Sequence, residues 1–268
     1  MRAARLLFIL TLLAAPAAHA GRGCTEVAPS PEAARKALTL GLRVQEWLDA
    51  SGARLALIAR VGSDLSAHGL RYSHTGYVWR TAPGGPWRVR HLLNHCGTAT
   101  AGLYEEGLGN FFSDTPFRYE ALLAVPAPAL QQQLARELGG PHVLDVFEPT
   151  YNMLANPWGT HMQNSNQWLL EFTALALAEP GVSDRRSAQA WLAAQGYVPG
   201  DIRVSAAERL GATLMAANIS FTDHPLATRL GGHYPAVTAE SVVDFLAHLD
   251  PSLRRGVVAL PDPLPVKN

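Results

Sequence analysis

Two histidines give the first chemical signal in this sequence, because each lies in a stretch with the alternation of a β-strand. His74 belongs to residues 70–80, where no proline interrupts the alternation. His91 belongs to the stretch that begins at Trp87, after the turn-forming residues 82–86. Alternation places every second side chain on one face of a strand. The pattern therefore predicts an antiparallel hairpin with one histidine on the buried face of each strand.

The register of this hairpin decides how the two histidines meet. If Val78 pairs with Trp87, His74 lies directly opposite His91. If Val78 pairs with Val89 instead, the histidines are diagonal neighbours, at most about 7–8 Å apart. Both registers predict that the two imidazoles lie close together on one face.

A serine between two asparagines gives the second signal. Ser165 follows Asn164 and comes directly before the helical pattern that we assign to residues 166–178. A nucleophile at a helix N-terminus gains from the positive end of the helix dipole and from unpaired backbone N–H groups. A histidine on the sheet could accept its proton, with a second polar residue orienting that histidine.

These observations assign a catalytic role to each of three residues. Ser165 is the candidate nucleophile, His74 the candidate general base, and His91 the residue that orients His74. Three polar residues nearby are candidates for binding the oxyanion or the substrate: Gln163, Asn164 and Tyr72.

Other interpretations of the same residues remain open. Asn164 and Ser165 are ordinary residues for a helix N-terminus, and both histidines could be hydrogen-bonded core residues. A metal site is a third hypothesis, because three potential ligands lie close in sequence: His91, His95 and Cys96. No HExxH or CxxC spacing supports zinc, so we expect no metal and no other cofactor.

The first twenty residues have the pattern of a secretory signal peptide. Arg2 and Arg5 precede an apolar run over residues 6–15, and Ala18-His19-Ala20 matches a small-x-small cleavage site. We expect cleavage after residue 20 and an exported mature chain, periplasmic or extracellular. Residues 21–268 are expected to form a single domain without a transmembrane segment. Lys and Arg together number 22, as do Asp and Glu, so no charge excess points to nucleic acid.

Two cysteines occur in the exported part, Cys24 and Cys96. In an oxidising compartment two cysteines most simply form a disulfide. The alternative is that the Cys96 thiol is a nucleophile beside His91 and His95, although a free thiol is hard to maintain there.

The remaining patterns predict an α+β fold. A helix should run from Ser30-Pro31 to Gly52, with apolar residues at helical spacing at Ala34, Leu38, Leu42 and Leu48. An apolar strand over residues 55–61 should enter the hairpin, and residues 97–114 should wrap around the surface nearby. Most of the C-terminal half should be helical, with helices predicted over residues 128–138, 184–195, 205–218 and 238–249.

Two short motifs resemble those of papain-like hydrolases of the NlpC type. The residues Ser73-His74-Thr75-Gly76 look like the S-H-x-G strand of these enzymes. Asn164-Ser165-Asn166-Gln167-Trp168 resembles their N-C-x-x-F/W helix start, which the lecithin:retinol acyltransferase branch shares. Those families use a cysteine at the helix start, a histidine on a strand and a polar residue on the adjacent strand. Because the histidine strand comes first here, the order resembles the circularly permuted members.

The whole mature chain also resembles an uncharacterised family of exported bacterial proteins, a domain of unknown function. The segments that carry this likeness are Gly69–Tyr77, Cys96-Gly97-Thr98 and Gln163–Trp168. The chain departs from the papain-like pattern where Ser165 replaces the cysteine, and serine needs a well-aligned base to react at neutral pH.

Two functions of different classes follow from this resemblance. The first is an exported papain-like hydrolase, an amidase, peptidase or acyltransferase-like enzyme, acting on amide or ester bonds of the cell envelope. The second is a catalytically silent domain of the same fold that binds an envelope peptide, lipid or protein.

Overall fold

The structure, a computed structural model, describes residues 28–178 and 180–261. The predicted signal peptide and Cys24 lie outside this range. The described residues form eight α-helices and eight strands, in the order α1 (Pro31–Ser51), β1 (Leu55–Val61), β2 (His74–Trp79), β3 (Arg88–Asn94), β4 (Ala101–Gly107), α2 (Leu108–Phe111), β5 (Arg118–Val125), α3 (Pro128–Leu138), α4 (Ser165–Leu177), α5 (Arg185–Ala194), β6 (Gly200–Arg203), α6 (Ala206–Met215), α7 (Leu226–Gly231), β7 (His233–Ala236), α8 (Ala239–Leu249) and β8 (Arg254–Ala259).

Six strands form one antiparallel sheet in the order β4-β3-β2-β1-β5-β8, and β6 pairs with β7 in a separate two-stranded sheet. Helices cover both faces of the six-stranded sheet. One face packs against α1 and α2, and the other packs against α3, α4 and α8. Every residue of the central strands β1 and β2 is therefore buried, as expected for strands covered on both faces. The fold is mixed α+β, as predicted.

The first helix has the predicted ends but a different buried face. The Ser30 side chain accepts a hydrogen bond from the Ala33 N–H, and Gly52 ends the helix in the left-handed conformation. The prediction that Leu38 and Leu42 face the core is wrong, because their exposed fractions are 59% and 61%. The face toward the sheet is a neighbouring one that contains Leu40 and Val44, together with Leu48, which is fully buried as the predicted spacing implied.

The predicted hairpin exists and has the second of the two registers. Val78 pairs with Val89, and Tyr77 pairs with Arg90. His74 and His91 are therefore diagonal neighbours rather than directly opposite residues. The turn over residues 82–86 includes Gly84, which adopts a positive φ of 72°.

The prediction for the segment after the hairpin is wrong in one respect. Residues 97–114 do not simply wrap around the surface, because β4 adds an edge strand to the sheet and pairs with β3 along its whole length.

The C-terminal half is also less uniformly helical than predicted. It contributes β6 and β7, and β8 forms the opposite edge of the sheet beside β5. Among the described helices, none is long and apolar enough to cross a membrane.

Candidate functional site

The three residues proposed as a catalytic set lie together in the folded chain. The Ser165 Oγ is 3.1 Å from His74 Nδ1, and His74 Nε2 is 2.8 Å from His91 Nδ1. Both distances are hydrogen-bond distances. The result is a continuous serine–histidine–histidine array built from the first residue of α4, the first residue of β2 and the middle of β3.

The start of α4 is fixed by polar contacts on both sides of the serine. Asn164 caps the helix, because its Oδ1 accepts a hydrogen bond from the Gln167 N–H at 2.7 Å. The Thr75 hydroxyl lies 2.8 Å from Asn166 Oδ1. This contact joins the residues that directly follow His74 and Ser165 in sequence. It therefore aligns the helix N-terminus with the start of β2.

A glycine and a phenylalanine shape the site around the two histidines. A Cβ atom at Gly76 would lie 2.7 Å from Val89 Cγ1 and 3.2 Å from His91 Cβ, so only glycine fits without displacing β3. Phe111, which is fully buried, packs against both imidazoles, with ring centroids 5.9 Å from His74 and 5.2 Å from His91. These contacts restrict the orientation of both rings.

Glu106, on the edge strand β4, determines which ring nitrogen of each histidine carries the proton. Its carboxylate lies 3.8 Å from His91 Nε2, a nitrogen that is buried without a hydrogen-bond partner among the described residues. A bare nitrogen lone pair facing a carboxylate would be repelled, so we assign the proton of His91 to Nε2. His91 Nδ1 then accepts from His74 Nε2–H, and His74 Nδ1 accepts from the Ser165 hydroxyl. This proton arrangement is the one a general base needs.

Burial keeps both histidines neutral at rest. Desolvation lowers the pKa of His74 well below its ordinary value, and the nearby Arg60 guanidinium lowers it further. Desolvation also lowers the pKa of His91, although the Glu106 carboxylate opposes this shift. Arg60 is itself held by a two-pronged contact with Asp114, with both distances at 2.8 Å. A neutral His74 is able to accept a proton.

Donors for a developing oxyanion surround the serine. The backbone N–H groups of Ser165 and Asn166 begin α4, and no acceptor in the described part of the chain takes up either of them. The Tyr151 side chain also interacts with the Ser165 hydroxyl, and burial raises the pKa of Tyr151 to about 12. Tyr151 is therefore a neutral phenol that can donate a hydrogen bond.

The other predicted binding residues have structural partners. Gln163 is fully buried, and its amide nitrogen donates to the Val146 carbonyl and to Glu171, which leaves no donor for an oxyanion. Asn164 is occupied as the helix cap. The Tyr72 hydroxyl, two residues before β2 begins, donates a hydrogen bond to the Glu120 carboxylate at 2.8 Å. None of these three contacts supports direct binding of substrate.

The residues of the alternative thiol and metal hypotheses have separate surroundings. Cys96 lies in the exposed turn between β3 and β4. His95 is exposed beside it and contacts Thr100 and Tyr104, whereas His91 points into the buried array. No group of three or more potential metal ligands occurs in residues 28–178 and 180–261. The disulfide between Cys24 and Cys96 stays a prediction, because Cys24 lies outside the described residues.

Sequence reasoning missed Glu106, Tyr151 and Arg60. Arg60 pairs with His74 across β1 and β2, but an arginine inside an apolar strand gave no signal until its partner strand was known. Glu106 belongs to β4, which the sequence did not predict. Tyr151 comes next to Ser165 only through a bridge with Gln163, a contact that no local pattern reveals.

The fold and the geometry define the class: an α+β protein with a buried serine–histidine–histidine array at the start of a helix. The chain belongs to the family described as "Uncharacterized protein conserved in bacteria (DUF2145)", which matches residues 47–246 and so includes the whole array. This result confirms the expected domain of unknown function. No curated protein and no solved structure matches the chain.

Proposed function

We propose that this protein is an exported hydrolase that cleaves amide or ester bonds of cell-envelope material, with Ser165 in place of a papain-like cysteine. The observation that carries this proposal is the pair of contacts that His74 makes, 3.1 Å to Ser165 Oγ and 2.8 Å to His91 Nδ1. The antiparallel sheet, with its histidine strand before the nucleophile helix, agrees with the permuted papain-like arrangement that the motifs resemble.

The proposed reaction uses each contact in turn. Ser165 Oγ attacks the carbonyl carbon while His74 Nδ1 takes the serine proton. His91 and the Glu106 carboxylate stabilise the imidazolium that forms, and the N–H groups at the start of α4 with the Tyr151 phenol stabilise the oxyanion. His74 then returns the proton to the leaving amine or alcohol, and water releases the acyl group from Ser165 by the reverse sequence.

One observation favours a second function, that of a binding domain without catalysis. Ser165 and His74 are only 5% and 8% exposed, so a substrate carbonyl reaches the serine only if neighbouring side chains move. In that case the serine would serve as a structural residue beside the Asn164 cap, and the two imidazoles would form a buried polar core next to Glu106.

A fluorophosphonate probe, which reacts with activated serines, tests the proposal. We expect the purified protein to be labelled at Ser165, and labelling to be lost in Ser165→Ala and in His74→Ala. Ser205→Ala is the matched control, because Ser205 is an exposed cap residue at the start of α6 and its loss should leave labelling unchanged. The absence of labelling in the wild-type protein, with its fold confirmed by circular dichroism, would support the binding function instead.

A further inference from the structure

A fully buried carboxylate lies on the same helix as Ser165. Glu171 forms an ion pair with Arg185 on α5, and the Arg185 Nε is 2.7 Å from one of its oxygens. Three glutamine amides also donate to this carboxylate, over distances of 2.7 to 3.1 Å: Gln163, Gln167 and Gln189. We call these five residues the buried polar network. Because both charges lose their hydration, a buried ion pair is weak evidence for stability, whereas its hydrogen bonds fix the groups that they join.

The buried polar network holds the irregular segment that leads into Ser165. Arg185 donates over 2.7 to 3.1 Å to the carbonyls of Gly159, Thr160 and Met162. Gln189 also donates to Gly159, and the Gln167 amide nitrogen lies 3.3 Å from the carbonyls of residues 156 and 157. Residues 156–163 lie outside the helices and strands, so side chains satisfy their backbone carbonyls. The backbone before Ser165 is thus fixed from both α4 and α5.

Gln163 connects the buried polar network to Tyr151. Its amide nitrogen donates to Glu171 at 2.7 Å. Four further hydrogen bonds, two from its side chain and two from its backbone, join Gln163 to the segment that contains Tyr151, at Val146, Glu148, Thr150 and Asn152. Two of these contacts lie on either side of Tyr151, whose side chain interacts with the Ser165 hydroxyl. Gln163 therefore links the buried carboxylate to the phenol beside the candidate nucleophile.

We propose that Gln163 and Glu171 are positioning residues for the oxyanion donor Tyr151. Glu171 fixes the Gln163 side chain, and Gln163 fixes the backbone on both sides of Tyr151, so that the phenol is held beside Ser165. This inference rests on the proposed function, because a donor requires such precise placement only where charge develops during a reaction. A displacement of about 1 Å can slow an enzymatic reaction by about a hundredfold. Gln163 thus acts on the oxyanion through another residue.

The kinetics of labelling by the fluorophosphonate probe test the inference. Gln163→Met keeps the length of the side chain but removes the hydrogen bonds of its amide. We expect the maximal rate constant of labelling to fall by about tenfold to a hundredfold. The probe concentration that gives half of this rate should stay unchanged, because an oxyanion donor acts mainly in the transition state. A variant that is less stable but still folded, as judged by circular dichroism and urea unfolding, would keep the wild-type rate constant.

A double-mutant cycle with Tyr151→Phe identifies the residue through which Gln163 acts. If that residue is Tyr151, Gln163→Met should slow labelling no further in a protein that already carries Tyr151→Phe. A separate effect on folding or on His74 would instead multiply with the effect of Tyr151→Phe. Glu171→Gln, which keeps the shape of the side chain, should behave as Gln163→Met does. Where one of these two variants does not fold, the other decides.

Asp250→Asn is the matched control. Asp250 is also a buried acid, and it accepts a hydrogen bond from the Ala127 N–H at 2.6 Å. Ala127 follows the end of β5, whereas the other end of β5 pairs with β1 near Arg60, the residue that pairs with His74. Asp250→Asn should therefore destabilise the protein without changing the rate constant of labelling.

Three results would overturn the inference and leave the proposed function intact. The first is an equal rate constant in the wild-type protein and in folded Gln163→Met. The second is an effect of Gln163→Met that multiplies with that of Tyr151→Phe. The third is loss of the fold in both Gln163→Met and Glu171→Gln, because the buried polar network would then be a requirement of the fold itself. A folded wild-type protein that is not labelled refutes the proposed function and this inference together.

Discussion

The buried histidine pair should make the stability of this protein fall as the pH is lowered from 7.5 to 5.5. An unfolded histidine binds a proton near pH 6.5, whereas burial lowers the pKa of folded His74 well below that value. The unfolded state therefore binds more protons in this range, and the free energy of unfolding decreases with falling pH. This stabilisation is complete above pH 6.5 and is lost progressively below it.

The magnitude follows from the same linkage. A group with an unfolded pKa of about 6.5 that stays neutral when folded costs about 1.4 kcal/mol of stability between pH 7.5 and 5.5. His91, whose folded pKa is also lowered, adds up to about the same amount. Glu171 acts in the opposite direction, because burial raises its pKa. A comparison of variants removes this background.

Urea unfolding followed by tryptophan fluorescence at the two pH values gives the required free energies. His74→Gln should lower the overall stability but reduce the difference between pH 7.5 and 5.5 by about 1.4 kcal/mol. His161→Gln, which removes an exposed histidine, should retain the wild-type difference. The reasoning is refuted if the wild-type protein and His74→Gln show the same dependence on pH, because His74 would then titrate alike in the folded and unfolded chain.

Three further predictions concern Glu106, the packing around Gly76 and the disulfide. Glu106→Gln should slow labelling of Ser165 by fluorophosphonate and shift its pH profile, while Glu105→Gln, on the same strand, should leave the profile unchanged. Gly76→Ala should destabilise the protein by about 1–3 kcal/mol in urea unfolding, because its Cβ atom would clash with β3; an unchanged midpoint would contradict this packing. Non-reducing mass spectrometry should find Cys24 and Cys96 joined by a disulfide. In the chain-entropy model this bond would stabilise the folded protein by about 4 kcal/mol. Two alkylatable thiols in the native protein would contradict the predicted disulfide.

The array was accessible to sequence reasoning because each of its three members carries a local signal. Alternation placed His74 and His91 on one face of a hairpin, and the asparagine before Ser165 marked a helix start. Ser165 was joined to the sheet by chemistry, since a serine at a helix start needs a histidine as its base, and the papain-like motifs resemble the same arrangement. No pattern in the chain states that α4 packs against β2. The contacts that fix this packing, such as that between Thr75 and Asn166, link residues ninety-one positions apart.

The errors in the predicted fold have a common physical cause. The outer strands β4 and β8 are partly exposed and include charged residues at several positions, so neither shows the apolar alternation of a buried strand. They are strands because their neighbours supply hydrogen-bond partners, which is a tertiary effect. The face of α1 was misjudged for a related reason. Leu38 and Leu42 form a regular apolar stripe, yet the sheet packs against the stripe beside it.

The burial of the array bears on why a serine, rather than a cysteine, fits this site. A cysteine–histidine pair reacts as a thiolate beside an imidazolium, and such a pair requires a protonated histidine at rest. Here desolvation and the Arg60 guanidinium both disfavour protonated His74. A serine hydroxyl stays neutral until the carbonyl is attacked, so it needs a histidine that is neutral at rest and becomes charged only in the transition state. In the proposed mechanism Glu106 would stabilise that charge, because its carboxylate lies 3.8 Å from His91 Nε2, a buried nitrogen without a hydrogen-bond partner among the described residues. The electrostatics of the site thus match the residue that occupies position 165.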